Sequence, residues 1–353
     1  MKRNYKVLGV MSGTSLDGVD LAECFFSISE EGQWDYDIGV AGTIPYPEHW
    51  STALREAIDY SEGELEDLNK TYTEFLSQVI SGFIIDNKID QLDAICSHGH
   101  TVLHRPEEGI TFQIGNLPEL ARATGHFVVF DFRVQDVELG GQGAPLVPIG
   151  DRLLFGDYDY CLNLGGFANG SFEENRRRIA FDICPVNIVL NRYAQQLGVP
   201  FDEGGKLAAS GELDVELFEA LNALPYYSQQ APKSLGLEWV KEAVLPLLEA
   251  SNHSAKNILR TCVEHTAYQL ARQFADGSSV LVTGGGAYNT YLLNRVLHFS
   301  SVQLEVPEPK LVEFKEALVF GLLGVLRLRD EVNCLASVTG AKKDHSSGII
   351  FKP

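Results

Sequence analysis

An α/β fold in two domains is what this chain predicts, and three observations predict it. The 353 residues exceed what one ordinary core organises, so two domains are expected. Short β-rich runs alternate with amphipathic helical stretches along most of the length. A theme of strand, glycine turn and strand, LGVMSGTSLDGVDLAE at residues 8–23, also returns as DYCLNLGGFANGSFEE at 159–174.

The elements follow in order. YKVLGVM and VDLAECFFSI read as two strands flanking the SGTSLDG turn, and EHWSTALREAIDY and ELEDLNKTYTEFLSQVISGFIIDN read as helices. LDAICSHG and HFVVFDF are short buried strands, each ended by glycine or polar residues. The glycine-rich ELGGQG gives way after Pro145 to an amphipathic pattern, consistent with a proline near a helix start. RRIAFDIC is a third strand after the second glycine turn. From Pro185 the chain is mainly helical, through NIVLNRYAQQLG, LFEALNAL, LEWVKEAVLPLLEAS and NILRTCVEHTAYQLARQFA. SSVLVTGGGAYN is a last strand feeding a helix near Thr290, and EFKEALVFGLLGVLRLRD is a final amphipathic helix. Residues 331–353 read as a polar, partly ordered tail. The expected domains are 1–136 and 137–311, with 312–353 a helix and tail packing back on the first.

Composition excludes several classes. A formal net charge of −20 repels polyanions over most of the surface, so nucleic acid is not expected as a partner. The six cysteines, Cys24, Cys96, Cys161, Cys184, Cys262 and Cys334, show neither a CxxC pair nor zinc-ligand spacing, which suits a reducing compartment. The N-terminal apolar run breaks too early for a signal peptide, and LVFGLLGVLRL is too short and too interrupted to cross a membrane. A cytoplasmic protein is expected.

Three glycine-rich strand ends carry the chemical signal. SGTSLDG, with Ser12, Gly13, Thr14, Ser15, Asp17 and Gly18, combines close backbone approach with hydroxyl donors, the ingredients of a phosphate loop. It is no P-loop, since no GK[ST] follows, and taken alone such a turn between strands is usually just a hairpin. LGGFANG supplies Gly165, Gly166 and Asn169, and TGGGAYN supplies Gly284, Gly285, Gly286 and Asn289, where a base can lie against bare backbone. Ligands in open α/β sheets collect at such strand ends, so together the three favour a nucleotide. Asp17 and Asp182 each lie beside a strand and a glycine turn. One can hold hydrated Mg²⁺ and the other take a proton, although each also suits a turn cap. SHGHTVLHRP places His98 and His100 on one strand face, with His104 beyond; a ligand contact through His98 is favoured over a metal, for which matching ligands are lacking. Arg133 and Asp136 in DFRVQD read as a polar clamp for a sugar or carboxylate, or as a surface ion pair.

With these stretches laid out, the chain closely resembles the anhydro-N-acetylmuramic acid kinases of the actin, hexokinase and Hsp70 ATPase superfamily. GVMSGTSLDGVD, SHGHTVLHRP, TFQIGN, DFRVQD, GGQGAPLVP, LNLGGFAN, AFDICPVN, PKSLG, VTGGGAYN and EALVFGLLG occur in family order over nearly the whole length. The resemblance implies two ribonuclease-H-like domains with an ATP cleft between them, ATP and Mg²⁺ as cofactors, and a homodimer. It implies Asp182 as catalytic base, Asp17 near the metal through water, and His98, Arg133, Asp136 and Glu316 on the sugar side. The implied reaction opens 1,6-anhydro-N-acetylmuramic acid with water and phosphorylates O6, in cell-wall recycling. Another anhydro-sugar such as levoglucosan, or a nucleotide-dependent binding module without sugar chemistry, stand as alternatives. The chain reads FDICPVN where FDTGPGN is common, so bulk at 183, 184 and 186 is expected to narrow the phosphate approach. His100 replaces the usual glutamine, and Gly150 and Asp151 replace an aromatic residue and a histidine.

Overall fold

The computed structural model describes residues 2–13 and 16–353. Two compact units divide the chain: the first holds residues up to Leu154 together with Phe314–Pro353, and the second holds Phe155–Glu313.

The first unit begins with β1 (Asn4–Ser12), β2 (Gly18–Ile28) and β3 (Trp34–Pro45), an antiparallel meander. Helices Glu48–Glu56 and Glu62–Asp86 then carry the chain back to β4 (Ala94–Arg105), which lies parallel to β1 on the side away from β2. Parallel pairing demands such a crossover, because a tight turn cannot reverse the chain twice. The longer helix starts at a capping box in which Ser61 and Glu64 satisfy each other's backbone amides. Its face from Leu65 through Tyr72, Leu76 and Ile80 to Phe83 is buried against the sheet. A short hairpin strand, β5 (Ile110–Ile114), pairs with the end of β4, and β6 (Val128–Phe130) pairs parallel with its start.

The second unit repeats the plan. Strands β7 (Tyr160–Leu164), β8 (Phe167–Glu174) and β9 (Arg177–Pro185) form an antiparallel meander. β10 (Ser279–Thr283) joins parallel to β7, and β11 (Gln303–Glu305) parallel to β10. Between β9 and β10 runs a long helical insertion, including Asn187–Gln196 and the largely buried Ala255–Ala271. The strand order is β3-β2-β1-β4-β6 in the first unit, continued there by one further strand, and β9-β8-β7-β10-β11 in the second; within each run of five the second strand is antiparallel to the rest. This is the ribonuclease-H-like sheet, present twice.

The C-terminal segment departs from the expected tail. β12 (Ile349–Phe351) pairs antiparallel with β6 and extends the first sheet. Asn333 is buried and donates from Nδ2 to the carbonyls of Leu323 (3.0 Å) and Ser347 (2.8 Å), while the Ser347 hydroxyl donates to Phe132 O (2.7 Å). Residues 333–347 thus satisfy backbone groups inside the first unit, which composition alone does not reveal.

The chain passes between units after Leu154 and again at Phe314, whereas the sequence placed these points at 136 and 311. Helix Pro148–Leu154 stays with the first unit because Asp151 forms an ion pair with Lys315 (2.7 Å), both nearly excluded from solvent, and Gly150 lies against Val319. Phe314 interrupts helix Pro309–Leu328 with a non-helical φ of −112° and ψ of 15°.

Candidate active site

In the first unit, the β1–β2 turn stands at the end of the sheet. Thr14 and Ser15 lie outside the described residues. Leu16 adopts a φ of 60°, unusual for a residue with a side chain, and its amide donates to Gly13 O (3.3 Å). Gly18 is required by packing: a Cβ there would lie 2.3 Å from the carbonyl oxygen of Ile44 on β3. Asp17 is exposed, and its carboxylate makes no hydrogen bond or ion pair among the described residues. Ser12 is only 3% exposed; its hydroxyl lies 2.6 Å from the Tyr46 hydroxyl and 2.8 Å from Nδ1 of His100, and Tyr46 in turn meets the Tyr72 hydroxyl. Parallel pairing of β1 and β4 puts Ser12 opposite His100, 88 positions away. The Ser12 side chain is therefore committed to holding the turn. Neither Tyr46 nor Tyr72 stood out in the sequence, because each reads as one more aromatic on a helical or strand pattern.

Gly99, with a φ of 70°, breaks the alternation of β4, so His98 and His100 reach different partners. His98 donates from Nδ1 to Gly99 O (2.9 Å), and its Nε2 accepts from Arg133 Nε (2.8 Å). Burial and then the Arg133 charge hold the His98 pKa well below the ordinary value, so the ring is neutral. Both ring nitrogens are occupied, and the strand-face metal reading of these histidines falls. Burial likewise lowers His100 to about 4.

Arg133 also donates from Nη1 to Gly143 O (2.6 Å), in the GGQGAP loop. Burial brings its pKa down to about 10, against the opposing charge of Glu316. Glu316 is itself solvent-exposed, yet desolvation by surrounding protein raises its carboxyl, with Arg133 opposing and the Asp20 charge reinforcing. Asp20, on β2, belongs with this charge cluster and was not singled out in the sequence, being a lone aspartate in an alternating strand.

Asp136 is a correction. It is fully buried: Oδ2 accepts the Gly143 amide (2.7 Å), and Oδ1 accepts the Thr339 hydroxyl (2.7 Å) and the Cys334 thiol (3.1 Å). It shapes the loop whose carbonyl Arg133 holds, and it offers no face to a sugar.

In the second unit, Gly165 and Gly166 form the two-residue turn between β7 and β8. Gly166 O accepts the amides of Val186 (2.8 Å) and Ile188 (3.2 Å), so the turn sits on the start of helix Asn187–Gln196. The register places Thr283, Asn163, Asn169 and Asp182 side by side across four strands. Asn163 and Thr283 are the members of this row that sequence reasoning missed, since only strand pairing aligns them. Asp182 is half-buried; Oδ2 accepts the Leu235 amide (2.8 Å), its own amide donates to Lys233 O (3.1 Å), and its carbonyl accepts the Tyr226 hydroxyl. Desolvation raises the Asp182 pKa, partly offset by the Leu235 bond. The PKSLG segment is thus the clamp on this carboxylate, a role that sequence spacing does not disclose.

Ile183, Cys184 and Val186 are buried in the core of this unit, so the bulk of FDICPVN goes into the core and the expected narrowing of the phosphate approach is not made by these side chains. Gly284 has a φ of 80°, and Gly286 approaches Leu164 so closely that a Cβ would lie 2.7 Å from Leu164 Cβ. Asn289 is buried as the N-cap of helix Thr290–Phe299, accepting the Leu292 amide (3.0 Å). Its side chain is spent on that cap.

Two ribonuclease-H-like sheets with glycine turns at corresponding strand ends define a protein of the actin-like ATPase class. A family model described as anhydro-N-acetylmuramic acid kinase matches residues 5–353. Curated anhydro-N-acetylmuramic acid kinases of Variovorax paradoxus and Pseudomonas fluorescens are each 34% identical, with 98% of this chain and 98% of the relative covered. That of Haemophilus influenzae is 33% identical over 99% of this chain and 98% of its own. The chain belongs to the anhydro-N-acetylmuramic acid kinase family, and is a phosphotransferase.

Proposed function

We propose that this kinase uses ATP to open 1,6-anhydro-N-acetylmuramic acid with water and to phosphorylate O6, giving N-acetylmuramate 6-phosphate and ADP in peptidoglycan recycling. The observation that carries the reading is Asp182: a clamped carboxylate, raised in pKa by desolvation, in a polar row beside the Gly165–Gly166 turn. A raised pKa makes it the stronger base. Asp182 takes the proton of water as the water oxygen bonds to the anomeric carbon; the C1–O6 bond breaks, and O6 accepts the phosphoryl group.

The bare backbone of Gly165, Gly166 and Gly285 suits phosphate and adenosine groups, as amides there can approach without side-chain obstruction. Mg²⁺, when bound, supplies charge neutralisation at the phosphates. The exposed Asp17 carboxylate fits an outer-sphere hold on that ion. Glu316 faces the sugar in this reading, with Arg133 as its charge partner and His98 fixing the guanidinium plane. A cytoplasmic homodimer completes it. Support for the cytoplasm comes from six buried free cysteines, and among the described residues no helix is long and apolar enough to cross a membrane.

The test is turnover in ¹⁸O-labelled water with ATP, Mg²⁺ and the anhydro-sugar. The product is expected to carry the label at C1, and Asp182→Asn to lower kcat by about 10²–10⁴-fold. Product without label, or an Asp182→Asn variant with wild-type kcat, refutes the assignment.

A further inference from the structure

We propose that Asp136, Cys334 and His345 form a binding site in the first unit for a divalent metal ion of the zinc class. All three side chains are buried, and one ligand atom from each lies within 4.8 Å of the others. Two of the ligands are set opposite each other by the backbone: Cys334 and His345 exchange amide-to-carbonyl hydrogen bonds of 3.1 Å as an antiparallel bridge. The third comes from helix Val134–Glu138.

The imidazole supplies the second, independent observation. His345 Nδ1 lies 3.1 Å from Lys343 O, a carbonyl that can only accept, so Nδ1 carries a proton. Nε2 is buried, has no hydrogen-bond partner among the described residues, and lies 3.6 Å from Asp136 Oδ1. A buried ring nitrogen left without a hydrogen bond and facing a carboxylate is an arrangement that a bound cation satisfies. The Nδ1–H held by a carbonyl is also what orients a metal-bound histidine.

Metal–ligand lengths of about 2.0–2.3 Å imply ligand-to-ligand edges of about 3.3–3.8 Å in a tetrahedral site. His345 Nε2 lies 3.6 Å from Asp136 Oδ1, within that range, whereas Cys334 Sγ, 3.1 Å from the same oxygen and donating its S–H to it, would move outward by a few tenths of an ångström on losing its proton to a metal. Thiolate and imidazole together select zinc-class ions over Mg²⁺ or Ca²⁺. On binding, the Cys334 S–H proton is released to solvent, the S–metal bond forms, and no redox change occurs. The ion would tie residues 334–345 to Asp136, whose other oxygen holds the Gly143 amide and hence the loop that Arg133 grips.

The test uses the full chain without an affinity tag, produced in cobalt-supplemented medium, purified, and examined for metal content and absorption. About one cobalt per chain and a thiolate-to-cobalt charge-transfer band in the near ultraviolet are expected. Cys334→Ser keeps an O–H donor for Asp136 and should abolish the band; His345→Gln should lower cobalt content at least tenfold. The wild-type spectrum decides independently of how either variant folds. A wild-type protein without the band, a band that survives Cys334→Ser, or a metal-free His345 ring carrying protons on both nitrogens overturns the proposal.

Discussion

Adjacent glycines at the end of β10 should separate stability from nucleotide binding. Gly284 has a φ of 80°, and a Cβ there would lie 2.5 Å from Asn163 Oδ1 and 3.0 Å from the Leu164 carbonyl. Gly284→Ala therefore pays a left-handed backbone penalty of about 1–2 kcal/mol. Overpacking against backbone that cannot move adds about 1–3 kcal/mol. For a unit of this size roughly 2–4 °C is lost per kcal/mol, so a total of about 2–5 kcal/mol should lower Tm by about 4–20 °C. At Gly285 the only neighbour among the described residues within 4 Å of an added Cβ is Asn187 Nδ2, at 3.9 Å, and φ lies outside the left-handed region. Gly285→Ala should leave Tm within about 2 °C, since a substitution away from strained or packed features changes stability by about 0.5 kcal/mol or less. If the adenosine lies on this turn, the added methyl should still raise KM for ATP, by about 10-fold if it removes roughly 1.4 kcal/mol of contact. Thermal melts and ATP saturation curves on both variants are sufficient. An unchanged Tm for Gly284→Ala would refute the steric reasoning, and an unchanged KM for Gly285→Ala would remove this turn from the nucleotide site.

Two further outcomes follow from buried ionisable groups. Burial lowers the His100 pKa to about 4 and that of His265, bonded to Asn222 and Tyr227, to about 3. The unfolded chain therefore binds more protons below its histidine pKa of about 6.5. The stability associated with neutral rings is present above pH 6.5 and is lost as pH falls through 6.5 towards 4 and 3, at about 1.4 kcal/mol per pH unit for each histidine. His265→Gln should flatten the dependence of unfolding free energy on pH between 6.5 and 4; an unaltered slope counts against the burial argument. For the Asp151–Lys315 pair, Lys315→Met alone leaves a buried carboxylate and should cost about 3–5 kcal/mol, while adding Asp151→Leu should recover most of the loss. A double variant no more stable than the single one by denaturant titration contradicts this account.

Much of the architecture was legible beforehand, and the reasons are local. The SGTSLDG and LGGFANG turns announce themselves through glycine, and β1, β2, β7, β8, β9 and β10 through apolar runs bounded by turn residues. Strands β3, β5, β11 and β12 went unread: β3 is a polar edge, β5 is a five-residue hairpin return, and the other two are three residues each. Among candidate residues, Asp182 was visible because it lies beside a strand and a glycine turn and falls in the AFDICPVN motif of the family resemblance. Its clamp of Leu235, Lys233 and Tyr226 was not, since these partners lie 44–53 positions downstream.

The sequence by itself determined the class of the protein, because ordered motifs and strand-turn patterns are properties of short stretches. Only the tertiary structure decided what individual polar side chains do. Asp136, Ser12 and Asn289 look like ligand contacts in one dimension, yet each is bonded to a group that folding brings beside it. The row of Thr283, Asn163, Asn169 and Asp182, and the cluster of Asp136, Cys334 and His345, exist only through pairing of distant segments. The physical reason is that a buried polar atom must find its partner wherever the chain returns, and the place of that return is set by strand register and packing rather than by neighbours in sequence.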